Sequence, residues 1–165
     1  MALVRDGAQA ILSQIFQLTP SFTALTKPFD LALWGNTSNA PLDPGGSVAT
    51  GPATVTGEIR GNNTTVAGTP AGNYARVPVN SGNHWDNPTL ANPSQMVNSG
   101  IIQYGTASAN WADGVTLWVA GFVLYEGVAS AADRGVWHGA FDLAKPVLSG
   151  DTVSIAAGNL QLRLE

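Results

Sequence analysis

The chain holds two histidines, and each lies where its chemistry deserves a test. His84 sits in "NHWDN", with Asp86 two residues on, a pairing in which a carboxylate could orient an imidazole as a general base. A hydrolase would also need a nucleophile and an oxyanion hole, and no G-x-S-x-G elbow occurs. One His and one Asp at this spacing fall short of the three or four ligands of a zinc site. His138 lies in "GVWHGAF", between Trp137 and Gly139, and reads as a partly buried strand histidine hydrogen-bonded to a neighbour. Asp113, Asp133, Asp142 and Asp151 read as acids that cap or close turns. No two of them are marked as the facing pair a glycosidase requires. The Gly-rich stretches do not join a strand to a helix, so no phosphate loop or dinucleotide fingerprint is present. With no cysteine there is no disulfide, thiolate metal site or cysteine nucleophile. The expectation is a protein that is not an enzyme, with no catalytic residue, no cofactor and no metal.

The remaining composition narrows the partners. Only 11% of the 165 residues are charged and 44% are hydrophobic, the reverse of the balance that keeps a chain disordered. Seven Lys and Arg are scattered and the net charge is −4, so a groove that tracks phosphates by counterion release is not expected. Nucleic acid is therefore excluded as a partner. The N-terminal "MALVRDGAQAILSQIFQ" carries Arg5 and Asp6 and lacks a signal peptide's uninterrupted apolar run. Asn-x-Ser/Thr occurs at Asn36, Asn62 and Asn63, and without a secretion signal these matches read as turn chemistry.

Nineteen Gly and ten Pro call for many turns, which suits an all-β protein of one domain, 1–165. Asp6 and Gln9 form a capping-box pattern, and Ala8, Ile11, Leu12, Ile15 and Phe16 share a helical face, predicting one short N-terminal helix over 6–17 that lids a sheet. "PFDLALWGN" alternates as a half-buried strand. "NYARVPV" is a strand that Pro78 relegates to an edge or bulge, with Tyr74, Arg76 and Pro78 on one side and Ala75, Val77 and Val79 on the other. The most apolar run, Val115 to Tyr125 in "DGVTLWVAGFVLYEG", has eleven residues, against the roughly 20 that a membrane helix needs. It reads as a central strand covered on both faces. Strict alternation puts Val115, Leu117, Val119, Val123 and Tyr125 on one face and Trp118, Ala120, Phe122 and Leu124 on the other, with Gly121 permitting a bulge. "GVWHGAFD" pairs with it as a hairpin. Thr152–Ile155 and the alternating Leu160, Leu162 and Leu164 complete seven or eight strands, the pattern of a β-sandwich of jelly-roll type.

Two polar segments interrupt this pattern. Residues 35–73 nearly lack large apolar side chains, and "ATVTGEIRGNNTTVAG" within them reads as a weak hairpin arm, too poor in apolar surface to stand alone. Residues 80–100 form a second long loop that carries Trp85. Long loops in compact domains are usually functional, so Glu58, Arg60, Asn62, Asn63 and Trp85 are the candidate partner contacts. The other four tryptophans are read as packing residues.

The order of "GAQAILSQIF", "LALW", "GNYARVPV", "NWADGVTLWVAGFVLYEG", "GVWHGAF" and "VLSGDTVSIAAGNLQLRLE" resembles a widespread family of small tailed-phage virion proteins, often tail-fibre-like. That family shows a Y-A-R strand, a Trp-led hairpin and a G-D-T…A-G-x-L-x-L ending. The long 35–73 segment departs from its usual short loop. The resemblance implies a structural virion component and carries over no catalytic residue. A fibre needs an anchor, a shaft and a tip, and this chain has no heptads or shaft repeat. The expectation is therefore a capsid decoration (cement) protein, a homotrimer bound to the major capsid protein at the virion's capsid surface and made in the host cytoplasm. The alternatives are a small tail-fibre-like or tail accessory protein and, in another class, a carbohydrate-binding module that would expose Trp85 beside a second aromatic.

Overall fold

The computed structural model describes residues 2–3, 29–36, 58–59, 72–79, 85–86, 94–126 and 134–164. Among these every regular element is a strand: β1 (Ala2–Leu3), β2 (Phe29–Asn36), β3 (Val77–Pro78), β4 (Ser94–Val97), β5 (Ile102–Gln103), β6 (Trp118–Glu126), β7 (Arg134–Lys145), β8 (Ser154–Ile155) and β9 (Gln161–Leu164). The helix expected over 6–17 lies outside the described residues.

The long apolar run becomes a central strand from Trp118 onward, while Val115, expected in it, is exposed in the turn before. β6 is flanked by β2 and β7 in an antiparallel sheet of order β1-β7-β6-β2-β3. Both edges of that sheet are strands of two residues, and one of them carries Pro78, a device that denies other chains a long unpaired edge. β4 pairs with β9 and β5 with β8, both antiparallel. The all-β class holds. A jelly roll would show one second sheet of several strands, whereas here the described part of the second layer is two separate ladders.

The core lies between these layers. Leu31 and Leu33 of β2 and Leu117, Val119, Phe122 and Leu124 on or beside β6 pack against Ile102, Tyr104, Trp111, Val147, Ile155 and Leu160 of the second layer. The opposite face of the sheet is also buried, through Ala32, Trp34, Ala120, Val123, Tyr125 and Ala144. β6 therefore has no wet side, as its composition requires.

The bulge alters which residues share a face. Trp34 pairs with Gly121 and Gly35 with Val119, so Ala120 is an extra residue against β2. Side-chain parity switches there. Trp118 and Ala120 share a face with Val123 and Tyr125, and Leu117 and Val119 share the other with Phe122 and Leu124. Strict alternation through Gly121 had exchanged the two halves. On the other flank, Gly121 pairs with Ala140 and Val119 with Lys145, which leaves four residues of β7, Phe141–Ala144, opposite Ala120.

β4 was hidden in the loop expected over 80–100. "SQMV" offers little apolar signal, and its pairing with β9 supplies the stability that its composition lacks. Asn98, just beyond it, is 1% exposed. Its amide donates to the Gly100 and Ala156 carbonyls, and its Oδ1 accepts from Leu160 N. Each is the kind of hydrogen bond that a buried amide needs.

Candidate functional site

The expected contact residues separate on inspection. Arg60, Asn62 and Asn63 lie outside the described residues. Glu58 is inside the protein, only 1% exposed. Its backbone forms a bridge to Trp34, and Ile59 N donates to Leu33 O at 3.0 Å, so this point of the 35–73 segment is stitched along the outer edge of β2. Its carboxylate meets Arg76 in a two-pronged pair, with Nε to Oε1 at 2.9 Å and Nη2 to Oε2 at 2.8 Å. The Arg76 guanidinium lies over the Tyr125 ring, 4.0 Å from its centre. Tyr74 and Arg76 are thus buried and Ala75 is exposed, but Pro78, expected on their side, is exposed and Val79, expected opposite, is buried.

Tyr74 links this pair to a further aromatic group. Leu33 N donates to the Tyr74 hydroxyl at 2.9 Å, and that hydroxyl donates to Glu58 Oε1 over a long 3.4 Å. The Tyr104 hydroxyl donates to Leu31 O at 3.0 Å. Tyr74 stacks on Tyr104, and both meet Trp111 edge-on. Burial, then the neighbouring Glu58 carboxylate, pushes both phenols well above the ordinary tyrosine range. The cluster supplies hydrogen-bond partners for the β2 edge where β3 stops pairing, so its buried backbone groups are satisfied. It can hold the segment at Glu58 in place, and it has no access for a substrate.

Trp85 is half-buried. It forms a bridge to Asn98, its Nε1 donates to Val79 O at 3.3 Å, and it packs against the core. His84 lies outside the described residues. His138 is buried on β7, opposite Val123 of β6 and Ala2 of β1. Asp113 closes a turn, as expected. Its Oδ1 accepts from Val115, Thr116 and Leu117 N, and its Oδ2 accepts from the Thr116 hydroxyl. Desolvation pulls its pKa up, but the four donors together outweigh that and hold the carboxyl far below the usual range. Among the described residues no three His, Asp or Glu side chains gather as a metal site.

Among the described residues an open groove runs between the second half of β7 and the segment 151–161. Two hollows, of about 390 and 610 Å³, share Phe141 and Ser154. Phe141 and Phe122 form a tilted pair 5.7 Å apart in the floor. Gly139 keeps that floor low, because a Cβ there would lie 2.5 Å from the Phe122 ring. Asp142, Lys145, Asp151, Thr152, Asn159 and Gln161 supply the polar lining. One sign of this groove lies in the sequence. "GAFDLAK" reads as a regular strand, but its glycine and exposed Asp142-Leu143 mark the stretch that leaves the ladder.

No curated protein matches the chain. Residues 22–163, which include β2 to β8 and nearly all of β9, match the family model described as Podophage GP4 fiber I protein gp80. That span takes in the edge cluster, the central hairpin and the groove, and the chain belongs to this family of tailed-phage virion fibre proteins.

Proposed function

We propose that this protein is a structural subunit of a phage tail-fibre assembly, acting as a globular module and not as an enzyme. The observation that carries the reading is the family match over residues 22–163. That description favours the tail-fibre alternative over the capsid-decoration role expected from the sequence. The structure agrees with a rigid module. Both faces of the main sheet are buried, its edges are short, and the long 35–73 segment is pinned to the body at Glu58. A closed homotrimer fits a chain this poor in charge, because subunit contacts then desolvate few ions.

The test is where the chain sits in the virion. Cryo-electron microscopy of particles, with cross-linking and mass spectrometry, should place it in tail-fibre density, next to copies of itself. Density on the head lattice, with cross-links to the major capsid protein, would overturn the fibre reading in favour of decoration. Light scattering on the purified protein checks the trimer, and a monomer mass at micromolar concentration would refute it.

A further inference from the structure

We infer that the groove between β7 and the 151–161 segment is a binding site for a neutral oligosaccharide. The inference does not depend on where in the virion the chain sits. Each hollow falls within the roughly 300–1,000 Å³ usual for small-molecule sites, at about 390 and 610 Å³. Because they share Phe141 and Ser154, the two hollows adjoin, and a ligand of several rings could place a ring in each.

The lining selects the ligand class. Phe141, half-buried between the hollows, offers an apolar surface for the C–H face of a sugar ring. Asp142 and Asn159 are exposed at the rim, and neither side chain has a hydrogen-bond partner within the described chain. Ser154 is exposed beside them, and Gln161 closes the far end. Such a rim is rich in acceptors and suits a ligand with a hydroxyl donor on nearly every carbon. An extended peptide brings one donor and one acceptor per residue and matches it less well. Charge decides against anions. Among the described residues Lys145 is the one cation of the lining, against Asp142 and Asp151, so phosphorylated or uronic-acid ligands would meet net repulsion there. The turn at Gly158, with φ +80°, carries Asn159 to the rim.

The test uses the whole protein. Neutral hexasaccharides of glucose, galactose, mannose, rhamnose and N-acetylglucosamine, with hexagalacturonate as the acidic comparison, are titrated against isotope-labelled protein by NMR. At least one neutral chain should bind saturably, moving amide signals of 139–143 and 152–161. Asp142→Ala with Asn159→Ala should weaken it by roughly tenfold or more at an unchanged melting temperature. Ser154→Trp, on an exposed strand position that lines both hollows, should abolish it. The inference fails if no neutral chain binds, if hexagalacturonate binds as tightly, or if binding survives Ser154→Trp in a folded protein. Failure here with tail-fibre density intact would sink the ligand and leave the proposed function standing.

Discussion

Removing one partner of the Glu58–Arg76 pair is the sharpest test of how the 35–73 segment is fixed. The two side chains are 1% and 2% exposed, and both carboxylate oxygens are within 2.9 Å of guanidinium nitrogens. Glu58→Ala would leave the Arg76 charge buried over the Tyr125 ring with its two-pronged partner gone. Breaking a buried pair in this way costs about 3–5 kcal/mol, against about 0–1 kcal/mol for an exposed pair. For a chain of this size, with roughly 2–4 °C per kcal/mol, the melting temperature should fall by about 6–20 °C. The assay is urea unfolding followed by tryptophan fluorescence, which reports on the site because Trp34 bridges Glu58 and Trp111 packs on Tyr74. The midpoint should drop while the slope stays constant, as a change in stability alone requires. Replacing both partners, Glu58→Leu with Arg76→Met, should recover most of the loss, because it leaves no charge stranded. A cost below about 1 kcal/mol for Glu58→Ala would mean that water reaches the pair. A double variant no better than Glu58→Ala would show that the directed geometry, and not charge burial, holds the edge.

Three further outcomes follow from other parts of the structure. Gly139→Ala places a methyl 2.5 Å from the buried Phe122 ring and should cost about 1–3 kcal/mol in the same unfolding assay, with Phe122→Leu in the same chain restoring part of it. The phenols of Tyr74 and Tyr104 are held protonated by burial and by Glu58, so their folded pKa lies above the ordinary 10.0. Their contribution is complete below pH 10 and is lost as pH rises from there through the folded value, so the alkaline fall in melting temperature should be shallower in Tyr104→Phe than in the parent. Asp113 is the opposite case. Its folded pKa lies below the ordinary 3.8, so its contribution is present above that value and fades as pH falls through the folded one. Hydrogen exchange at Val115, Thr116 and Leu117 should accelerate in Asp113→Ala at neutral pH, and unchanged rates would refute the cap.

Where burial and period agreed, the sequence already showed the fold. β2, β6 and β7 were visible because their apolar residues are dense and their boundaries carry Gly, Pro or Asn. The edge position of β3 was visible because proline cannot donate to a ladder. Periodicity failed at Gly121. A two-residue period carries a strand's faces correctly only while the register is unbroken, and one extra residue reverses every later assignment. A glycine in the run signals that a bulge is possible, but not on which side of it the inserted residue lies. β4 failed for a different reason, since a short polar strand is created by its partner and not by its own pattern.

The edge cluster was misread through a physical assumption about charge. Glu58, in the polar segment around "TGEIRG", is expected to be a partner contact, and an isolated charge does belong in water. That inference holds for one segment at a time. Glu58 and Arg76 are 18 residues apart, and each becomes tolerable inside only because the other arrives with matching geometry. The sequence did contain a usable signal: Glu58 in "TGEIRG" and Arg76 in "NYARV", opposite charges at strand-like positions of two segments. Opposite charges so placed can mark two segments that neutralise each other in the interior. In this chain they join the 35–73 segment to the edge of β2, which no run of apolar residues would have specified, since the segment has too few of them to choose its own site.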